Sequence, residues 1–153
     1  MRACVRWAEP GDVETLIELS LRTTRASYPG FLGEAAVEAF VGTGAVDGFV
    51  RQNVSRALVV TLGGEVAGYA VGTGHHVDQL MIDERFHRQG LGTLLLARLE
   101  EHLFRRHDAL ELESFRDNDQ ANAFYRKHGW QVTGAYRDDE NGVDMVTMRK
   151  EVG

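Results

Sequence analysis

Hydrophobic and polar positions along the chain follow two periods, and each change of period marks a new element. Residues 2–8 read as a first strand. Pro10, Gly11 and Asp12 then open a helix, because proline is tolerated in a first turn and Asp12 and Glu14 face the positive end of the helix dipole. Val13, Leu16, Ile17 and Leu21 supply its i, i+3, i+4, i+8 apolar stripe. Tyr28-Pro29-Gly30 predicts a turn, followed by a weaker helix from Glu34 to Phe40 that resumes near Phe49 and Val50. Arg56–Leu62 and Glu65–Gly72 flank Gly63-Gly64 as a β-hairpin, and Val77–Ile82 is a further strand. Leu91, Leu94, Leu95, Leu99 and Leu103 mark one face of a helix reaching about Arg106. Ala109–Phe115 is the next strand, parallel to 77–82 if the crossover through that helix is right-handed. Arg116 to Asp119 caps a short helix through His128, and Gln131–Tyr136 and Val143–Met148 close the chain as a hairpin around a turn ending at Gly142. The order is β-α-α-β-β-β-α-β-α-β-β. It predicts an α/β (α+β) fold with a mixed sheet of about seven strands flanked by helices on both faces. No linker or repeat interrupts it, so residues 1–153 read as a single domain.

Composition narrows the function classes. The 43% hydrophobic and 26% charged content is that of a globular chain. No apolar run reaches the ~18 residues of a membrane span, and the N-terminus has no apolar signal-like stretch. With one cysteine, Cys4, which reads as a core residue, no internal disulfide can form and a cytoplasmic location is expected. The net charge of −6 argues against a nucleic-acid partner and favours a cationic substrate. Fifteen of the seventeen basic residues are arginine, but they are scattered along the chain.

The candidate chemistry centres on Leu80–Leu96, a strand end, a glycine-bearing loop and a helix start. Gly90 and Gly92 let a ligand approach the main chain, and the helix N-terminus offers unpaired N–H donors and a positive dipole end, so an anion such as phosphate is expected there. A P-loop would need lysine between Gly92 and Thr93, and a dinucleotide fingerprint would need a small residue where Leu95 stands. Neither motif fits, which also weakens a nucleotide-binding domain as a rival reading. His87-Arg88-Gln89-Gly90-Leu91-Gly92 instead resembles the Arg/Gln-x-x-Gly-x-Gly/Ala motif of the GNAT superfamily of acetyl-CoA-dependent N-acetyltransferases, with His87 at the first position. Downstream, Asn118-x-x-Ala121-x-x-Phe124-Tyr125-x-Lys127-x-Gly129-Trp130 resembles a second signature of that family, with tryptophan for its final phenylalanine. The GNAT fold that this resemblance implies agrees with the predicted element order over essentially the whole chain.

Acetyl transfer from a thioester to an amine needs phosphate binding, a polarised carbonyl, a base for the ammonium and an acid for the thiolate. For the phosphates, the loop predicts the N–H groups of Arg88, Gln89, Gly90, Leu91, Gly92 and Thr93, helped by the Thr93 hydroxyl and the Arg88 guanidinium. The resemblance implies that Leu80, Met81 and Ile82 bond the pantetheine arm through their backbone, and that Asn118 contacts it; a helix N-cap is the alternative role for Asn118. It also implies Tyr125 as the acid, adjacent to the cofactor. For the base, alternation puts Glu111 and Glu113 on one strand face, and Glu113 matches the base of the N-terminal acetyltransferases of ribosomal proteins within the family. His76, where many relatives carry glutamate, is the rival base and shares a face with Asp78, whereas His75 is expected to point the other way. The histidines lack metal-ligand spacing, so no metal is expected. The expected partners are acetyl-CoA as co-substrate and an amine acceptor, either a small molecule or a protein N-terminus, without nucleic acid or membrane. A catalytically silent acyl-CoA sensor is the alternative function, and the resemblance leaves a homodimer through the C-terminal hairpin open.

Overall fold

In the computed structural model, which describes residues 1–153, an edge strand β1 (Ala3–Trp7) runs antiparallel to β2 (Ala57–Leu62). Between them lie four helices: α1 (Val13–Ser27), α2 (Pro29–Leu32), α3 (Glu34–Gly42) and α4 (Ala45–Asn53). Strands β3 (Glu65–Thr73) and β4 (His76–Ile82) follow, then α5 (Leu91–Phe104), β5 (Ala109–Phe115), α6 (Asp119–Lys127), β6 (Gln131–Asp138) and β7 (Val143–Glu151). The seven strands form one sheet in the order β1-β2-β3-β4-β5-β7-β6. Every neighbour pairs antiparallel except β4 and β5, which the α5 crossover makes parallel. The mixed sheet is as the sequence predicts.

Strand alternation builds a core on each face. Ala57, Val59, Tyr69, Val71 and Met81 pack with Leu16, Ile17 and Leu19 of α1. Leu58, Val60, Leu62, Ala67 and Ala70 pack with Leu91, Leu95, Leu96, Leu99 and Leu103 of α5, joined by Tyr125 and Trp130. Helices therefore cover both faces.

Three local expectations fail for identifiable reasons. The Tyr28-Pro29-Gly30 segment is not a simple turn: Pro29 at the first helical position starts the short helix α2. Cys4 is exposed rather than core, because β1 is an edge strand along which only Val5 is even half-buried. His75 does not sit in a strand facing away from His76. It lies with Gly74 in the β3–β4 turn, and its Nε2 reaches within 3.5 Å of Glu111.

A buried ion cluster fixes the end of β4. The Asp83 side chain is fully buried and accepts hydrogen bonds from Arg22 Nη2 (2.6 Å) and Nε (3.1 Å), from Arg85 Nη2 (3.0 Å) and from the Arg85 backbone (3.1 Å). Its backbone N–H donates to the Ala67 carbonyl at 2.7 Å, so this one residue ties α1, β3 and the turn after β4 together. Burial alone would raise its pKa, but the two guanidiniums and the backbone donor outweigh burial and lower it from 3.8 to about 2. A lowered carboxylate pKa stabilises the fold above the unfolded value, and that stabilisation is lost as pH falls towards the folded one. It amounts to about 2 kcal/mol here. Denaturant curves of the wild type and Asp83→Asn should therefore differ by about that much at neutral pH and converge as pH falls from about 4 to 2. A gap that persists at pH 2 would contradict this account.

Candidate active site

The site exists because two parallel strands part. β4 and β5 pair only where His76 stands opposite Glu111, with the Glu111 N–H donating to the His75 carbonyl at 2.9 Å. Beyond that point they diverge. A register shift between Val71 and Gly72 in the β3–β4 pairing adds local twist at the start of β4. The gap is a cleft of about 630 Å³, lined by Val77 to Ile82 from β4 and by Leu112 to Phe115 from β5. The edge of β4 facing the gap carries backbone donors and acceptors without a strand partner, an arrangement that suits an extended amide-bearing ligand.

At one end of the cleft the chain turns back from β4 into α5. The His87 Nε2–H donates to the Ile82 carbonyl at 2.7 Å and ties this loop to the strand end, the work done here by the residue that departs from the family motif. Arg88 and Gly90 both adopt the left-handed region, at φ 66° and 76°. For glycine this is free, whereas for Arg88 it costs about 1 kcal/mol. α5 then starts at Leu91, and the N–H groups of Leu91, Gly92 and Thr93 have no acceptor within the helix. Arg88, Gly90, Leu91, Gly92 and Thr93 line the cleft, as do His87 and Leu80, Met81 and Ile82; Gln89 does not. The Thr93 hydroxyl lies 3.1 Å from His128 Nε2.

α6 forms a second wall. Asn118 accepts the Ala121 N–H at 3.3 Å as the helix N-cap and also lines the cleft, so the two roles considered for it are compatible. Phe124 and Tyr125 divide as adjacent aromatics must. Phe124 packs on His128 and lies 3.4 Å from where a Cβ on Gly92 would sit. Tyr125 is the buried member and lines the cleft. No protein group bonds its hydroxyl. Burial, then the neighbouring Tyr28 phenol, pushes its pKa well above the usual tyrosine range.

The two rival bases turn out to be partners. His76 Nε2 is 2.6 Å from Glu113 Oε2, and His76 Nδ1 bonds Asp78, which also accepts from the Thr73 hydroxyl. Glu113 lines the large cleft, whereas His76 faces a second one of about 520 Å³ beside α4; Asp78 lines both. Glu111, on the same strand face, does not line the cleft and accepts from Arg149 at 3.5 Å. Burial acts to lower the His76 pKa, but Asp78 and Glu113 outweigh it and hold it above the ordinary histidine value.

Other cleft residues carry no motif. Tyr28, Phe115 and Met145 line the cleft, with the Tyr28 ring 5.7 Å from Phe115 and the Phe31 ring tilted against both at 5.5 Å. Lys127 also lines the cleft. No group of three or more His, Cys, Asp or Glu is arranged to hold a metal, and no helix is long and apolar enough to cross a membrane.

A splayed parallel pair, a glycine loop at a helix start and a tyrosine-bearing helix opposite define the class, and comparison with known proteins agrees. The chain belongs to the GNAT acetyltransferase family: the model of that family's acetyltransferase (GNAT) domain matches residues 27–152. A curated relative, the peptidyl-lysine N-acetyltransferase YjaB of Salmonella typhimurium, is 35% identical over 85 residues. The match covers 56% of each chain, so this chain spans little more than half of that relative. A GCN5-related N-acetyltransferase from Rhodopseudomonas palustris shares the fold at a TM-score of 0.87 and 22% identity, over 99% of this chain and 97% of that one. The PaiA N-acetyltransferase of Thermoplasma acidophilum, solved in complex with coenzyme A, does so at 0.83 and 19%, over 99% and 100%.

Proposed function

We propose that this protein transfers the acetyl group of acetyl-CoA directly to a primary amine, and that a lysine side chain on a peptide is its preferred kind of acceptor. The observation that carries the reading is the β4–β5 cleft, with a helix N-terminus at one end and Glu113 and Tyr125 on its walls. The N–H groups at the start of α5, with Arg88 and Lys127 beside them, suit the CoA phosphates. The free edge of β4 suits the pantetheine amides, and a cleft-lining phenol at Tyr125 suits a hydrogen bond to the departing sulfur. Glu113 takes the proton from the attacking ammonium, with one carboxylate oxygen held by His76. A silent acyl-CoA sensor gains no support, since the matched family is one of acetyltransferases and the curated relative is an enzyme.

Two features favour lysine. Tyr28, Phe115 and Met145 give an apolar wall for an aliphatic stem, and Glu113 and Asp78 give carboxylates for the ammonium at its tip. The curated relative's description as a peptidyl-lysine N-acetyltransferase points the same way. Mass spectrometry of a lysine-bearing peptide with a blocked N-terminus, incubated with acetyl-CoA, should show one acetyl group per lysine. Its kcat/KM should exceed that of small polyamines by roughly 10-fold, the scale of one added apolar contact. Acetylation of polyamines alone would move the acceptor to the small-molecule class.

A further inference from the structure

His76 lies between two carboxylates, and both of its ring nitrogens are used. Carboxylates only accept hydrogen bonds, so Nδ1–H donates to Asp78 and Nε2–H donates to Glu113 at 2.6 Å. The ring is therefore an imidazolium, and it cannot take a proton from a substrate. We propose that Asp78 and His76 are positioning residues for the acetyl-transfer reaction, with Asp78 holding His76 charged and His76 orienting Glu113 and setting its basicity. The inference rests on the acetyltransferase reading above and assigns the base within it.

The surroundings support a three-residue unit rather than three separate groups. On β4 the only charge facing His76 is Asp78, itself bonded by Thr73 from the end of β3. From β5 come Glu113 and, one pair further back, Glu111, which is engaged by Arg149 of β7 and lies 3.5 Å from His75 in the turn. From the α4 side the cleft at His76 is lined by Ala45, Gly48, Phe49, Gln52 and Asn53, none of them charged. Tyr136 of β6 lies near enough to Glu113 to feel its charge. Two carboxylates thus face one imidazolium without another close cation, and the unit carries net −1. Only one Glu113 oxygen is used by His76, and the other has no protein partner. During transfer an N–H bond of the acceptor ammonium breaks and an O–H bond forms at that free oxygen; the amine lone pair then forms the C–N bond at the thioester carbonyl as the C–S bond breaks, the nitrogen's second proton passes to water, and the departing thiolate takes a proton from water. The proton on Glu113 later leaves to water. Because His76 is half-buried, its charge acts on Glu113 at reduced screening and with fixed geometry.

The test separates a positioning imidazolium from a basic imidazole by the direction in which the pH profile moves. An imidazolium beside Glu113 favours the ionised carboxylate, so removing it must move the acidic limb of the rate profile upward. His76→Gln should lower kcat roughly 10-fold and move the acidic limb of kcat/KM upward by about one pH unit. Asp78→Asn, which leaves the ring in place but less firmly charged, should move the limb in the same direction by less. Glu113→Gln should abolish it. Each variant is to be checked by calorimetry for wild-type coenzyme A affinity, which a misfolded protein would lose, and profiled with two acceptors of different pKa to set aside the amine's own titration. A limb that vanishes in His76→Gln makes the histidine the base and overturns the inference, as does a limb that stays in place. Lack of amine-dependent transfer by the wild type overturns the functional reading as well, whereas transfer with an unmoved limb overturns this inference alone.

Discussion

Tyr125→Phe should lower kcat roughly 100-fold, the scale of removing one placed donor from a developing anion. Affinity for acetyl-CoA should stay within about twofold, because the ring and its packing remain. The size follows from the environment of the phenol. Burial and the adjacent Tyr28 raise its pKa, while the leaving thiolate belongs to a thiol of pKa about 8.5. Full proton transfer from such a phenol to sulfur is uphill, so its contribution is a hydrogen bond that strengthens as charge builds on the sulfur. The thiolate then takes its proton from water. Lacking any protein partner, the hydroxyl is free to make that bond. Stability should change little in Tyr125→Phe, since the hydroxyl has no protein partner to lose. Wild-type turnover in this variant would return Tyr125 to a packing role beside Trp130, whose ring lies 5.9 Å away.

Gly92→Val should raise the dissociation constant for acetyl-CoA by at least about tenfold, equivalent to losing ~1.4 kcal/mol of binding. Gly92 sits in the first turn of α5, where the proposed phosphate site requires a close approach to the main chain. An added Cβ would already touch Phe124 at 3.4 Å and Ile82 at 3.7 Å. The two methyl groups of valine must then either displace Phe124 or project into the cleft over the free N–H groups. Gly92→Ala fits the first contact without further crowding and should weaken binding less. A folded Gly92→Val protein with unchanged affinity would place the phosphates elsewhere.

The parts of this account legible in the sequence are those written in short spacings. Gly90 and Gly92 before a leucine stripe mark a ligand-binding helix start locally, and Asn118 to Trp130 marks the opposite wall in one run of residues. Alternation in Ala109–Phe115 separates buried Leu110 and Leu112 from Glu111 and Glu113, as the fold has it. What the sequence does not carry is which distant groups meet. His76 and Glu113 are 37 positions apart, and their bond depends on β4 and β5 pairing at one point and then parting. That geometry turns two competing bases into one unit. Asp83 reads as an ordinary loop acid until Arg22, 61 positions earlier, closes on it. The aromatic cluster of Tyr28, Phe31 and Phe115 is likewise assembled from the α1–α2 junction, α2 and β5, and no periodicity announces it. Cys4 fails for the opposite reason: a residue type that is usually buried stands on an edge strand that covers little.

The central claim is that this cleft transfers acetyl groups rather than merely holding acyl-CoA. Release of the coenzyme A thiol at saturating acetyl-CoA, measured with and without a lysine-bearing peptide, tests it most directly. The account predicts release that rises with peptide concentration, saturates, and falls by roughly 100-fold or more in Glu113→Gln, whose acetyl-CoA affinity is kept. Tight binding of acetyl-CoA with no amine-dependent release, for peptides and small amines alike, would contradict it.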